Sequence, residues 1–165
     1  MKTMNSIKIR KTILGISFFL LFGLVLTHAQ SHSYSTDDSM IALDGYSAVS
    51  YMDNGKAEMG KKAYKASYDG LTYYFTDHKQ LKKFQNNPKK YKPQYGGWCA
   101  FAVSLGGKYR PNPKSFRVVN GKLYMFTVNL EGDFVQVWEK EGKAKHIAQA
   151  NKNWQTMKKF TTFAP

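Results

Sequence analysis

A chain of 165 residues with 25 lysines and arginines against 11 aspartates and glutamates, a formal charge of +14, is long enough for one domain. Its single cysteine excludes an internal disulfide, so the domain must stand on its core, to which a 15% aromatic content contributes large apolar area. So basic a chain points first to nucleic acid, but no nucleic-acid-binding motif is present and the N-terminus reads as an export leader, which removes that class of partner.

Lys2, Lys8, Arg10 and Lys11 form a basic start, and Ile13 to Leu26 is an uncharged apolar run. Thr27-His28-Ala29 places small residues at a cleavage site, with Gln30 as the mature start. Residues 1–29 are therefore expected to be a signal peptide, with the product periplasmic or secreted. The alternative is an uncleaved anchor, although the apolar run is short against the roughly 20 residues of a spanning helix. Cleavage removes four basic residues and no acidic one, leaving +10. The remaining lysines are spread along the chain, as on a solvated surface. Their functional reading is attraction to an anionic envelope surface.

Residues 30–43 are expected to be a polar lead-in, 44–158 the domain and 159–165 a tail. In the domain, Val49 and Tyr51 alternating with Ser50 predict a short strand, with a turn at Asp53-Asn54-Gly55-Lys56. Ala63 to Thr76 predicts a hairpin turning at Asp69-Gly70. Thr76 or Asp77 caps a helix reaching Asn86, with Gln80, Leu81 and Phe84 facing inward and Pro88 ending it. Phe116 to Thr127 predicts a second hairpin at Asn120-Gly121, and Asn129 a capped helix carrying Phe134, Val135 and Trp138 and stopping at Gly142. At a spacing of 51 residues, Asp69-Gly70 falls on Asn120-Gly121, Tyr73, Phe75 and Thr76 on Tyr124, Phe126 and Thr127, and Phe84 on Val135. This spacing fits either a duplicated ββα unit or two ordinary hairpins. A last helix from Lys143 to Met157 places Ile147, Ala148, Asn151 and Trp154 on one stripe. The expected fold is α+β, a single domain of small antiparallel hairpins each followed by a helix.

Tyr73-Tyr74-Phe75-Thr76, Phe84, Asn87-Pro88, Tyr91 and Gln94-Tyr95-Gly96-Gly97-Trp98-Cys99-Ala100 together resemble a YHS-domain protein. Its exported branch has a Gly-Tyr-x-x-Val-x-Tyr opening before a Tyr-Gly-Gly-aromatic-Cys-Ala motif. Gly45-Tyr46, Val49 and Tyr51 fit that opening, and Ile147-Ala148, Ala150, Asn153 and Trp154 are similar to the family's closing helix. The resemblance implies a link to copper or heavy metals. The family's two motif cysteines, however, fall on Thr76 and Gln80 here, so no thiolate pair is available. A metal site must then involve Cys99, with His78 or Met125 as candidate partners. His32 and His146 are the other histidines of the mature chain.

Cys99 itself has three readings: a buried apolar filler behind the Gly96-Gly97 turn, a metal ligand, or a reactive thiolate. The chain has no Cys-x-x-Cys, His-Glu-x-x-His or Gly-x-Ser-x-Gly. The expected function is an exported, non-enzymatic binding domain for copper or another transition-metal ion. The alternatives are a thiol-dependent redox or nucleophilic enzyme using Cys99, and an envelope-associated structural module with a basic surface and no metal.

Overall fold

A computed structural model describes residues 34–37 and 39–159. The expected leader, His32 and residues 160–165 lie outside them. The fold is α+β, as expected: three two-stranded antiparallel sheets with helices following the hairpins. Among the described residues no helix is long and apolar enough to cross a membrane.

The first hairpin pairs β1 (Lys61–Tyr68) with β2 (Leu71–Phe75). Asp69 and Gly70 both take positive φ at its tip, which their short or absent side chains tolerate. Helix α1 (His78–Asn86) follows, its Asp77 N-cap accepting from the Gln80 amide at 2.8 Å. Pro88 does end α1, and it also opens the short α2 (Pro88–Tyr91), capped by Asn87. The second hairpin pairs β3 (Asn112–Val119) with β4 (Lys122–Phe126).

The two hairpins share one register. Lys61↔Phe75, Lys65↔Tyr74, Ala66↔Tyr73, Ser67↔Thr72 and Tyr68↔Leu71 each recur 51 residues later, with the same irregularity in the same place. The repeat also extends upstream, where the sequence comparison did not reach. Leu43, Asp44 and Gly45 have φ of 56°, 50° and 84°, and Tyr95, Gly96 and Gly97 have 53°, 61° and 85°. Each run is a left-handed turn closed by a bond across it, Tyr46 N to Leu43 O in the first and Trp98 N to Tyr95 O in the second. Each is followed by a helical segment whose first bond is also shared, Tyr51 N to Ser47 O and Val103 N to Cys99 O. The Tyr-Gly-Gly-Trp-Cys stretch is thus the opening of a second unit, equivalent to Leu43–Ser47. In the second unit this segment leads into α3 (Ala100–Ser104).

Several expectations change. Residues 48–54 are helical, not a strand at Val49–Tyr51. Ser50, which supplied the apparent polar alternation, is itself buried against Gln80, so the period of two was false. The lead-in is ordered from Tyr34: Ser35 N donates to Gly96 O at 2.9 Å, and Ala42 and Leu43 are core. Asn129 does not cap the fourth helix. It begins a tight extra hairpin, β5 (Val128–Asn129) and β6 (Gly132–Asp133), and Asp133 caps α4 (Phe134–Lys140) through the Val135 amide. The insertion shifts the helix alignment. Phe84 contacts the rings of Tyr73 and Phe75, and their equivalents Tyr124 and Phe126 contact Trp138, so Trp138 takes the place assigned to Val135. In α5 (Lys143–Met157) the buried residues are His146 and Ala150, while Ala148 faces out.

The core divides in two along β4. Leu123 and Met125 pack into the first unit's cluster, with Val49, Tyr51, Tyr73, Phe75 and Phe84. Tyr124 and Phe126 pack into the second unit's own cluster, with Trp98, Cys99, Val103 and Trp138. One strand therefore serves both cores, a face to each.

Candidate functional site

The left-handed turn at Tyr95–Gly97 swings Trp98 and Cys99 inward. Gly97 is required there, because its φ of +85° would strain any other residue. Cys99 is 1% exposed, its N–H donates to Tyr109 O at 3.1 Å, and its carbonyl accepts the first bond of α3. Backbone pairing sets it beside Met125.

The two side chains nonetheless pack into different clusters. The Met125 side chain is fully buried in the first cluster, while that of Cys99 lies in the second. His78 is exposed on the first turn of α1, and its ring has no hydrogen bond, ion pair or ring contact among the described residues. The three candidate metal ligands are therefore spread over two cores and the surface. Among the described residues, no three His, Cys, Asp or Glu side chains come together to hold a metal ion.

His146 is not exposed but built into the core. Its Nδ1 lies 2.9 Å from Ser104 Oγ, whose own proton goes to Phe101 O at 2.6 Å, and its ring meets Phe101 edge-on. Glu141 Oε2 stands 3.2 Å from Nε2. Asn153 Nδ2 closes the end of α3 by donating to both Val103 O and Ser104 O. These residues fix α3, and with it the position of Cys99.

Cys99 lies at a cleft of about 510 Å³, lined also by Phe101, Leu105, Tyr109, Thr127 and Phe134. That volume falls in the roughly 300–1,000 Å³ range of small-molecule sites. The rings of Phe101 and Phe134 stack at 5.5 Å, and Thr127 Oγ1 donates to Arg110 O, tying β4 to the 106–111 loop. The polar lining comes mainly from Asn129 and Glu131 of the extra hairpin.

The equivalent place in the first unit is filled. Ser47 stands where Cys99 does, and the Gln80 side chain is inserted against it. Gln80 Oε1 accepts from Ser47 Oγ at 2.6 Å, and Nε2 donates to Ser50 Oγ at 2.9 Å. On the Phe84–Trp138 alignment Phe134 succeeds Gln80, turns to stack on Phe101, and leaves the space open. The sequence places Gln80 on the inner helix face and at a lost cysteine position; the signal missed was that a glutamine on that face needs buried partners.

Comparison with family models, with curated proteins and with solved structures finds no match to this chain.

Proposed function

We propose that this chain is an exported, non-enzymatic binding domain of YHS type whose site is the Cys99 cleft, and that its ligand is a small apolar or aromatic molecule. One observation carries the reading: two units of one register differ in that Gln80 plugs the first while the second is open, apolar and lined with aromatic rings. Rings and aliphatic side chains reward apolar area, and a few polar groups orient it. Cys99 serves this site as a small, soft wall. An enzyme using its thiolate needs an activating base, and the one histidine among the second unit's described residues, His146, is engaged with Ser104.

The test is titration with the neutral fluorophore N-phenyl-1-naphthylamine, which basic residues do not attract. Saturable binding near one per chain is expected, with loss in Ala102→Leu, which enlarges a residue of the cleft lining and fills the space while the circular dichroism of the fold is retained. Absence of saturable binding, or equal binding in that variant, refutes the reading. So does a stoichiometric copper or zinc ion that purifies with the native chain and is lost in Cys99→Ser, which instead restores the metal function.

A further inference from the structure

Four of the six exposed large apolar side chains of the described residues gather at the end of the molecule where this cleft opens. Leu105, 69% exposed, and Tyr109, 55% exposed, line the cleft. Val128 and Leu130 ride on the β5–β6 hairpin whose Asn129 and Glu131 also line it. Leu130 is fully exposed at the tip of a tight turn, a place where polar residues or glycine are the norm. Scattered apolar side chains need no explanation, whereas a cluster at a cleft mouth marks an interaction surface. The hairpin is also the element that the first unit lacks, so the same insertion walls the cleft and supplies the protruding leucine.

The charge of the chain identifies what this surface meets. Without the four basic residues of the expected leader, twenty-one basic residues against eleven acidic ones still make the whole molecule attractive to an anionic surface. Lys108 and Arg110 flank Tyr109 in sequence, Lys108 Nζ lying over the Trp98 and Trp154 rings and Arg110 pairing with Asp44. Exposed Lys114 sits beside the hairpin, because its neighbour Ser115 bonds Asp133 of β6. An exposed aliphatic tip, a tyrosine and basic neighbours match the two layers of a bilayer surface, headgroups outside and acyl boundary beneath.

We infer that the cleft mouth docks on an anionic phospholipid bilayer, with Leu130, Leu105 and Tyr109 entering the interface, so that apolar ligand passes between membrane and cleft. The passage of ligand rests on the function proposed above; the docking does not. An insertion of this depth is peripheral, and each buried leucine contributes area in proportion to what it removes from water.

Vesicle flotation tests it. The full mature chain is mixed with vesicles of phosphatidylcholine alone, or with phosphatidylglycerol added. Flotation is expected only with the anionic lipid, and Leu130→Asp is expected to weaken it about tenfold or more. Leu130→Trp should bind at least as well as the native chain, with its fluorescence shifted to the blue on binding. Leu130 projects into solvent, so both substitutions are tolerated there, and unchanged naphthylamine binding in solution confirms an intact domain. Flotation unaffected by Leu130→Asp overturns the inference, as does flotation that salt abolishes equally in both proteins, which would be adsorption by charge alone. Failure of flotation with naphthylamine binding retained sinks the docking and leaves the cleft; loss of naphthylamine binding with flotation retained does the reverse.

Discussion

If β4 serves two cores, truncating a residue of the second unit must destabilise the first. Leu123 is the sharpest place to ask, because it belongs to β4 by sequence yet is wholly buried in the first unit's cluster. Leu123→Ala removes apolar volume and leaves a cavity, a loss of roughly 3 kcal/mol within the usual range for leucine. With a urea slope of roughly 2 kcal/mol per molar for a domain of this size, the midpoint falls by about 1.5 M. The assay reads tryptophan fluorescence and far-ultraviolet circular dichroism in one titration. All three tryptophans, Trp98, Trp138 and Trp154, sit in the second unit, while the backbone signal reports both. The two curves should coincide in native and variant chains and move together. A variant whose fluorescence midpoint stays at the native value while part of the backbone signal is lost at lower urea would show independent units, and the shared-strand argument would fail.

Three further outcomes are expected. Gln80→Ala should cost roughly 2–4 kcal/mol, because it leaves the Ser47 and Ser50 hydroxyls buried without their partner and opens a cavity; chemical denaturation measures it, and a change under about 0.5 kcal/mol, ordinary for an exposed site, refutes the plug. Cys99 should react with a disulfide reagent far more slowly in the native chain than in denaturant, and bound naphthylamine should slow it further, since the thiol lies at the cleft; a rate indifferent to the fluorophore refutes that placement. Acid should remove the help that Asp53 gives: burial alone would raise its pKa, but hydrogen bonds from Lys83 and Lys90 hold it below the usual carboxylate range. A depressed folded value means stability present above about pH 3.9 and lost as pH falls below it. The melting temperatures of native and Asp53→Asn chains should therefore converge in acid, and a constant gap refutes the assignment.

The hairpins and their caps were legible because their chemistry is local. Asp69-Gly70 and Asn120-Gly121 need only tolerate positive φ, and Asp77 needs only the amide three residues on. The opening turns were not legible, because Leu43 and Tyr95 take left-handed conformations that their residue types do not advertise. Leu43 is buried in the same cluster as Tyr51, whose hydroxyl donates to Pro113 O at 2.7 Å, so tertiary packing decides the first of them. Nor does a strand buried on both faces state which core each face enters; Met125, a candidate partner of Cys99 by sequence, packs into the first cluster while Cys99 packs into the second. The cleft was invisible for a related reason. Leu105, Tyr109 and Leu130 read as ordinary apolar residues, and only the fold exposes them together.

The repeat changes what the lone cysteine means. A buried thiol is by itself a packing residue, and in the first unit the same position is taken by Ser47 and satisfied by Gln80. What distinguishes the second unit is the company around that position. Phe134 replaces the glutamine, a hairpin enters between β4 and α4, and α5 braces α3 from behind through Asn153 and His146. The bracing fixes the position of the walls, and the hairpin determines what reaches them. Since the candidate metal ligands His78 and Met125 do not line this space while Phe101, Tyr109 and Phe134 do, the apolar ligand proposed above requires no further residue. The aromatic wall should then be indispensable: Phe134→Gln, which removes the ring stacked on Phe101 and finds Cys99 and Ala102 where Gln80 has Ser47 and Ser50, should abolish naphthylamine binding without disturbing the register of either hairpin. Binding that survives in Phe134→Gln would mean that the open space, rather than its aromatic lining, selects the ligand.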